Sequence, residues 1–185
     1  MRWFLVGGVL LVVSVGVAAC ALKLLVPVAP KAELASGRDP GEILPIGAKA
    51  PAFEVPDDKG NIVRLADHAG KDNVVLIFYP GDNTPTCTAQ LCAARDDFGR
   101  YEQLDAVVYG VNPASRESHA KFASRQNFPF PLLADTEGTL INAYGCRGIG
   151  GITKRTVYVI GKDGTILFAE RGVPSTDAIL ASIKG

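Results

Sequence analysis

The chain has 185 residues, with 19 Lys and Arg against 19 Asp and Glu, so its formal charge at neutral pH is zero. That balance excludes the broad basic surface of a nucleic-acid binder. Two histidines exclude a histidine-rich metal cluster, and four cysteines are too few for a small disulfide-stapled scaffold and are not spaced as a common zinc site.

Residues 3–22 carry no charge and lie between Arg2 and Lys23. At about 1.5 Å per residue a helix of that length spans roughly 30 Å, the thickness of a bilayer core. The segment reads as an address, either a retained membrane anchor or a cleaved signal peptide. Val17-Ala18-Ala19-Cys20 resembles the lipobox of bacterial lipoproteins, which implies lipid modification of Cys20. Leu24, Leu25 and Val26 extend the apolar character past Lys23 and favour an uncleaved anchor, so the two readings stay even. Residues 1–22 are therefore expected to be a signal peptide or membrane anchor. Residues 23–44, with Pro27, Pro30, Gly37, Pro40 and Gly41, are expected to be a tether. The domain would be residues 45–185, held at a bacterial cell envelope outside the cytoplasm.

Within the domain, residues 53–55 and 62–65 flank Asp57-Asp58-Lys59-Gly60 as a first hairpin. Residues 74–79, Val-Val-Leu-Ile-Phe-Tyr, form the continuous apolar run of a central strand covered on both faces. After a loop at residues 80–85, one helix is expected over residues 86–104, with Leu91, Phe98 and Leu104 facing inward. A buried strand at 106–111 and a helix at 115–127 follow, the latter capped by Ser115 and opened by acidic Glu117. A short strand at 131–134, a short helix at 138–144, a hairpin pairing 156–160 with 165–168, and a helix at 175–184 complete the chain. This order predicts an α/β fold of thioredoxin-like type, a central mixed sheet flanked by helices with an N-terminal β-hairpin extension.

Cys87 falls in the opening turn of the helix after the central strand. Unpaired N–H groups and the positive end of the helix dipole favour a thiolate there, which is the nucleophilic form of cysteine. Cys92 follows five positions later, displaced in an intact helix by about 7.5 Å along the axis and roughly 140° around it. A disulfide needs Cα atoms within about 7 Å, so the pair could join only if the first turns unwind. On spacing alone these remain either two buried thiols or a redox pair.

The run Tyr79-Pro80-Gly81-Asp82-Asn83-Thr84-Pro85-Thr86-Cys87-Thr88-Ala89-Gln90-Leu91-Cys92 resembles the active-site motif of peroxiredoxins, in particular the bacterioferritin comigratory protein or PrxQ subgroup of the AhpC/TSA family. The resemblance covers about residues 45–185. It implies that Cys87 is the peroxidatic cysteine, which attacks peroxide and becomes a sulfenic acid. It implies that Cys92 resolves it as an intramolecular disulfide, that Thr84 hydrogen-bonds peroxide and thiolate, and that Pro80 shields the sulfur. Arg155, just before the strand at 156–160, would complete the site. The implied activity is reduction of hydrogen peroxide and organic hydroperoxides by a monomer with a thioredoxin-like or other dithiol reductant, without cofactor, metal or nucleic acid.

Cys146 carries no role from the resemblance and reads as a bland thiol, Arg147 as structural or solvated, and Tyr79 as packing beside the site. Asp82 and Asn83 are expected to shape the loop, and His68 and His119 to be surface or capping residues. Two alternatives compete. A membrane-tethered thiol–disulfide oxidoreductase is disfavoured because four residues, not two, separate Cys87 and Cys92. A copper-carrying thioredoxin-like module would need a third ligand beside the thiolates, for which His119 is the candidate downstream of the cysteine helix.

Overall fold

The fold is given by a computed structural model in which residues 41–184 are described. The expected leader, Cys20 and residues 23–40 of the expected tether lie outside the described residues. Among the described residues no helix is long and apolar enough to cross a membrane.

Strand β1 (Glu54–Pro56) pairs antiparallel with β2 (Ile62–Arg64), in the register Glu54 opposite Arg64. The turn is held by Asp57, whose carboxylate accepts from the N–H groups of Lys59 and Asn61. The central sheet has the order β5-β4-β3-β6-β7. Its strands are β3 (Asn73–Phe78), β4 (Ala106–Asn112), β5 (Leu132–Ala134), β6 (Thr156–Ile160) and β7 (Ile166–Arg171). β3, β4 and β5 run parallel, and β6 and β7 join antiparallel to them. This is the expected mixed sheet with its hairpin extension.

All six residues of β3 are buried, because both faces of the sheet are covered. Val75, Ile77 and Tyr79 point to one core with Leu91, Phe122, Val157 and Ile179. Val74, Leu76 and Phe78 point to the other with Tyr144, Tyr158 and Ile160. Period-two alternation thus sorts one uniformly apolar strand into two cores. Gly110 on β4 is required by close approach: a Cβ there would lie 2.6 Å from Leu132 Cδ2 and 3.1 Å from Tyr79 Cε1.

The helices are α1 (Pro85–Asp96), α2 (Phe98–Glu102), α3 (Arg116–Gln126), α4 (Thr139–Ala143) and α5 (Thr176–Lys184). The single helix expected over 86–104 is divided. Asp97 adopts φ −95°, ψ 8° and donates its N–H back to Ala93 O, closing α1. The change of direction brings Tyr101 to 1% exposure and packs Phe98 and Leu104 against the first core, a gain of buried apolar surface that one straight rod would forgo. Ser115 caps α3 as expected, accepting from Ser118 N, and Asn127 ends it at a left-handed φ of 53°.

Residues 41–44, ahead of the expected start at Pro45, pack onto this domain. Leu44 is buried and its N–H donates to Tyr158 Oη, while Gly41 O accepts from Arg171.

Candidate active site

Strand β3 delivers the chain into the loop at residues 79–84, and Pro85 starts α1 at a position where a missing N–H costs nothing. Thr84 is the N-cap by backbone conformation, but its side chain makes no capping bond. Its Oγ1 instead donates weakly to Gly81 O at 3.4 Å. Cys87 is the third residue of α1, and its side chain belongs to the first core with no exposure.

Arg155 reaches that sulfur from the start of β6, the strand beside β3. It lies immediately before β6, its carbonyl accepts from Gly172 N at 3.0 Å, and its Nη2 donates to Cys87 Sγ at 3.1 Å. The second prong of the fork, Nη1, donates to Gln90 Oε1 at 2.5 Å. Gln90 is buried, one turn after Cys87 on the same helix. The guanidinium is thereby fixed by one side chain while it faces the other, an arrangement complementary to a sulfur anion. Gln90 has no signature in sequence that marks this use.

Pro80 and Thr84 border the same loop and are exposed. Cys92 lies further along α1, partly buried, with its Sγ 3.7 Å from Gln126 Oε1 at the end of α3. Arg95 fastens the same place, donating from Nη1 to Gln126 O at 2.7 Å. Cys87, Cys92 and Cys146 are free thiols. With α1 unbroken between them, Cys87 and Cys92 keep the separation that the helical repeat imposes.

The loop ahead of Cys87 is anchored by a group that sequence reading underestimated. The Asp82 side chain is 5% exposed. Its Oδ1 accepts from Tyr79 Oη at 2.9 Å and from Asn112 Nδ2 at 2.8 Å, and its Oδ2 accepts from Ser118 Oγ at 2.6 Å. His119 Nδ1 lies 3.1 and 3.0 Å from the two oxygens. Burial alone would raise this carboxyl, but the hydrogen bonds from His119, Ser118 and Asn112 and the His119 charge overcome it and hold it at about 2. Tyr79 packs as expected: burial and the neighbouring Asp82 push its phenol far above its ordinary range.

Two expectations are corrected here. His119 is not at the surface but fully buried, because helix α3 turns it toward Asp82 and Leu133 O. His68 is 14% exposed and is bound by Asp72 Oδ2 at Nδ1 and by Tyr109 Oη at Nε2. Cys146 is buried, 3.4 Å from Tyr144 O, and burial raises its thiol to about 11 despite nearby Thr156 and Arg171. Arg147 is exposed as expected. Among the described residues, no three His, Cys, Asp or Glu side chains are placed to hold a metal.

A thioredoxin-like sheet that presents a buried cysteine in the first turn of a helix to an arginine fork defines a thiol-dependent oxidoreductase. The chain matches the AhpC/TSA family over residues 46–169. It is 39% identical to peroxiredoxin Bcp of Bacillus subtilis over 147 residues, 75% of this chain and 92% of that protein. It is 34% identical to the chloroplastic peroxiredoxin Q of Sedum lineare, covering 75% of this chain and 78% of that one. The crystal structure of peroxidoxin BcpB from Mycobacterium tuberculosis superposes with a TM-score of 0.70 at 33% identity, covering 75% and 96% of the two chains. The chain belongs to the AhpC/TSA family, as a peroxiredoxin of the Bcp/PrxQ kind, and its activity is that of a thiol peroxidase.

Proposed function

We propose that Cys87 is the peroxidatic cysteine and Cys92 the resolving cysteine of a peroxidase acting on hydrogen peroxide and organic hydroperoxides. The observation that carries this reading is the 3.1 Å contact of Arg155 Nη2 with Cys87 Sγ at the start of α1. The Cys87 thiolate attacks the nearer oxygen of the hydroperoxide. The O–O bond breaks, sulfur is oxidised to sulfenic acid, and the leaving alkoxide or hydroxide takes a proton to become alcohol or water. Arg155 stays charged throughout and stabilises the transferred electron density, and the Thr84 hydroxyl orients the peroxide. Pro80 limits water at the sulfur.

The Cys92 thiol then condenses with the sulfenic acid, forming the S–S bond and releasing water. That step requires the first turns of α1 to open. A thioredoxin-like dithiol returns two electrons and two protons and is itself left as a disulfide. Residues 3–22 support placing this cycle at a cell envelope, with the domain tethered outside the cytoplasm as a monomer. The reductant would then be a dithiol protein of that compartment.

Intact mass and peptide mapping after one equivalent of hydrogen peroxide test the assignment. Loss of 2 Da (about two hydrogens, the stoichiometry of one disulfide) with a linked Cys87–Cys92 peptide is expected. Cys87→Ser abolishes turnover, and Cys92→Ser oxidises once and then advances to sulfinic acid. Normal cycling of Cys92→Ser with a dithiol reductant would remove its resolving role. Intact mass of protein extracted from membranes separates a retained leader from a lipidated Cys20.

A further inference from the structure

Helix α3 grips the redox helix at both ends. At one end Ser118 and His119 bind Asp82, and Arg125 Nη1 donates to Asn83 Oδ1 at 2.8 Å, with Asn83 held at a left-handed φ of 60°. At the other end Gln126 receives Cys92 and Arg95. The first grip is the stronger. Four side chains donate to the Asp82 carboxylate, and the orientation of one of them, Asn112, is fixed because its Oδ1 accepts from Ala114 N at 2.6 Å. His119 Nε2 lies 3.2 Å from Leu133 O, a carbonyl that can only accept. With the Asp82 carboxylate at Nδ1 as well, each ring nitrogen faces an oxygen partner, and the ring is held at both. The pair is therefore buried with its polar atoms satisfied, and loss of either side chain leaves the other without a partner.

We propose that Asp82 and His119 are a positioning pair that sets how readily the first turn of α1 opens, holding Cys87 against Arg155 until the sulfur is oxidised. Neither residue touches the reacting sulfur in the reduced chain. They act through the backbone of Asn83 and Thr84, which is all that separates the anchored carboxylate from α1. The inference rests on Cys87 and Cys92 forming the disulfide described above.

Weakening the pair destabilises the closed, reduced arrangement more than the opened, disulfide-bonded one. The disulfide then becomes harder to reduce, and condensation with Cys92 gains on overoxidation. A loss of fold stability common to both redox forms cancels from the thiol–disulfide equilibrium constant, so this readout separates positioning from mere support.

The experiment equilibrates full-length wild type, Asp82→Asn and Ser118→Ala with a dithiothreitol redox couple and follows the Cys87–Cys92 disulfide by mass. Asp82→Asn is expected to shift the constant toward the protein disulfide by about tenfold, equal to about 30 mV for a two-electron couple. It also raises the peroxide concentration that gives sulfinic acid. Ser118→Ala removes one of four donors, shifts the constant by about threefold the same way, and carries the test if Asp82→Asn does not fold. Unchanged constants in variants beside a wild type that does form the disulfide overturn the proposal. A wild type that forms no such disulfide overturns the underlying cysteine assignment instead, and the proposal with it.

Discussion

Arg155 faces Cys87 with one nitrogen of its fork, 3.1 Å from the sulfur, and spends the other on Gln90. A lysine could supply the charge but not both directed bonds. Arg155→Lys and Arg155→Met are therefore both expected to slow the reaction with hydrogen peroxide, by roughly 10² to 10³, the usual loss for removing one transition-state donor. Gln90→Leu leaves the charge and frees its orientation, and is expected to cost about tenfold. Competition against a reference peroxidase measures all three; equal rates for Gln90→Leu and wild type would show that the second prong is idle.

Cys146 is expected to stand outside the chemistry. Its thiol is raised to about 11 from an unperturbed 9.0 by burial, so the neutral form dominates at physiological pH. Iodoacetamide at pH 8 labels it only after denaturant is added. Because the folded value lies above the unfolded one, the stability this thiol contributes is complete below about pH 9 and is lost between about 9 and 11. The loss is up to roughly 2 to 3 kcal/mol at 1.36 kcal/mol per unit. Cys146→Ala removes that slope from the alkaline limb of a urea stability profile.

Asp82 gives the opposite limb. Its folded value of about 2 lies below the unfolded 3.8, so its contribution is present above about pH 4. It drains away as pH falls from about 4 to 2, by roughly 2 kcal/mol. Stability measured from pH 5 to pH 2 is expected to fall less steeply in Asp82→Asn than in wild type. Parallel curves would mean that the carboxylate titrates alike in both states.

Gly110→Ala inserts a methyl 2.6 Å from Leu132 Cδ2 and 3.1 Å from the Tyr79 ring. Overpacking of this kind costs about 1 to 3 kcal/mol. Since Tyr79 is one of the Asp82 donors, the peroxide rate is expected to fall along with the denaturant midpoint. A lowered midpoint with an unchanged rate would uncouple the ring from the loop.

The sheet was legible because its strands are short, apolar and bounded by turn residues, and because helices alternate with them. Cys87 and Cys92 stood out by their place at the start of a helix, while Thr84 and Pro80 were singled out by the resemblance of a thirteen-residue motif. Arg155 came from the resemblance alone, since a lone arginine before a strand carries no local mark. Asp82 shapes the loop as expected, but its pairing with a buried His119 was missed for a related reason. They lie 37 positions apart, and only the parallel crossover from β3 through β4 into α3 brings them together. The helix break at Asp97 escaped because intrinsic preference permits one rod through residue 104, while tertiary burial of Tyr101 decides otherwise.

The sulfur of Cys87 has no solvent exposure, yet Thr84, Pro85 and Thr86 beside it are open. A slender hydroperoxyl end can be admitted past such a rim, whereas a protein thiolate, carried on its own backbone, cannot approach until the turn gives way. Under the roles proposed for Cys87 and Cys92, burial thus acts as a sieve by girth, admitting the oxidant first and a protein thiol only after the turn has opened.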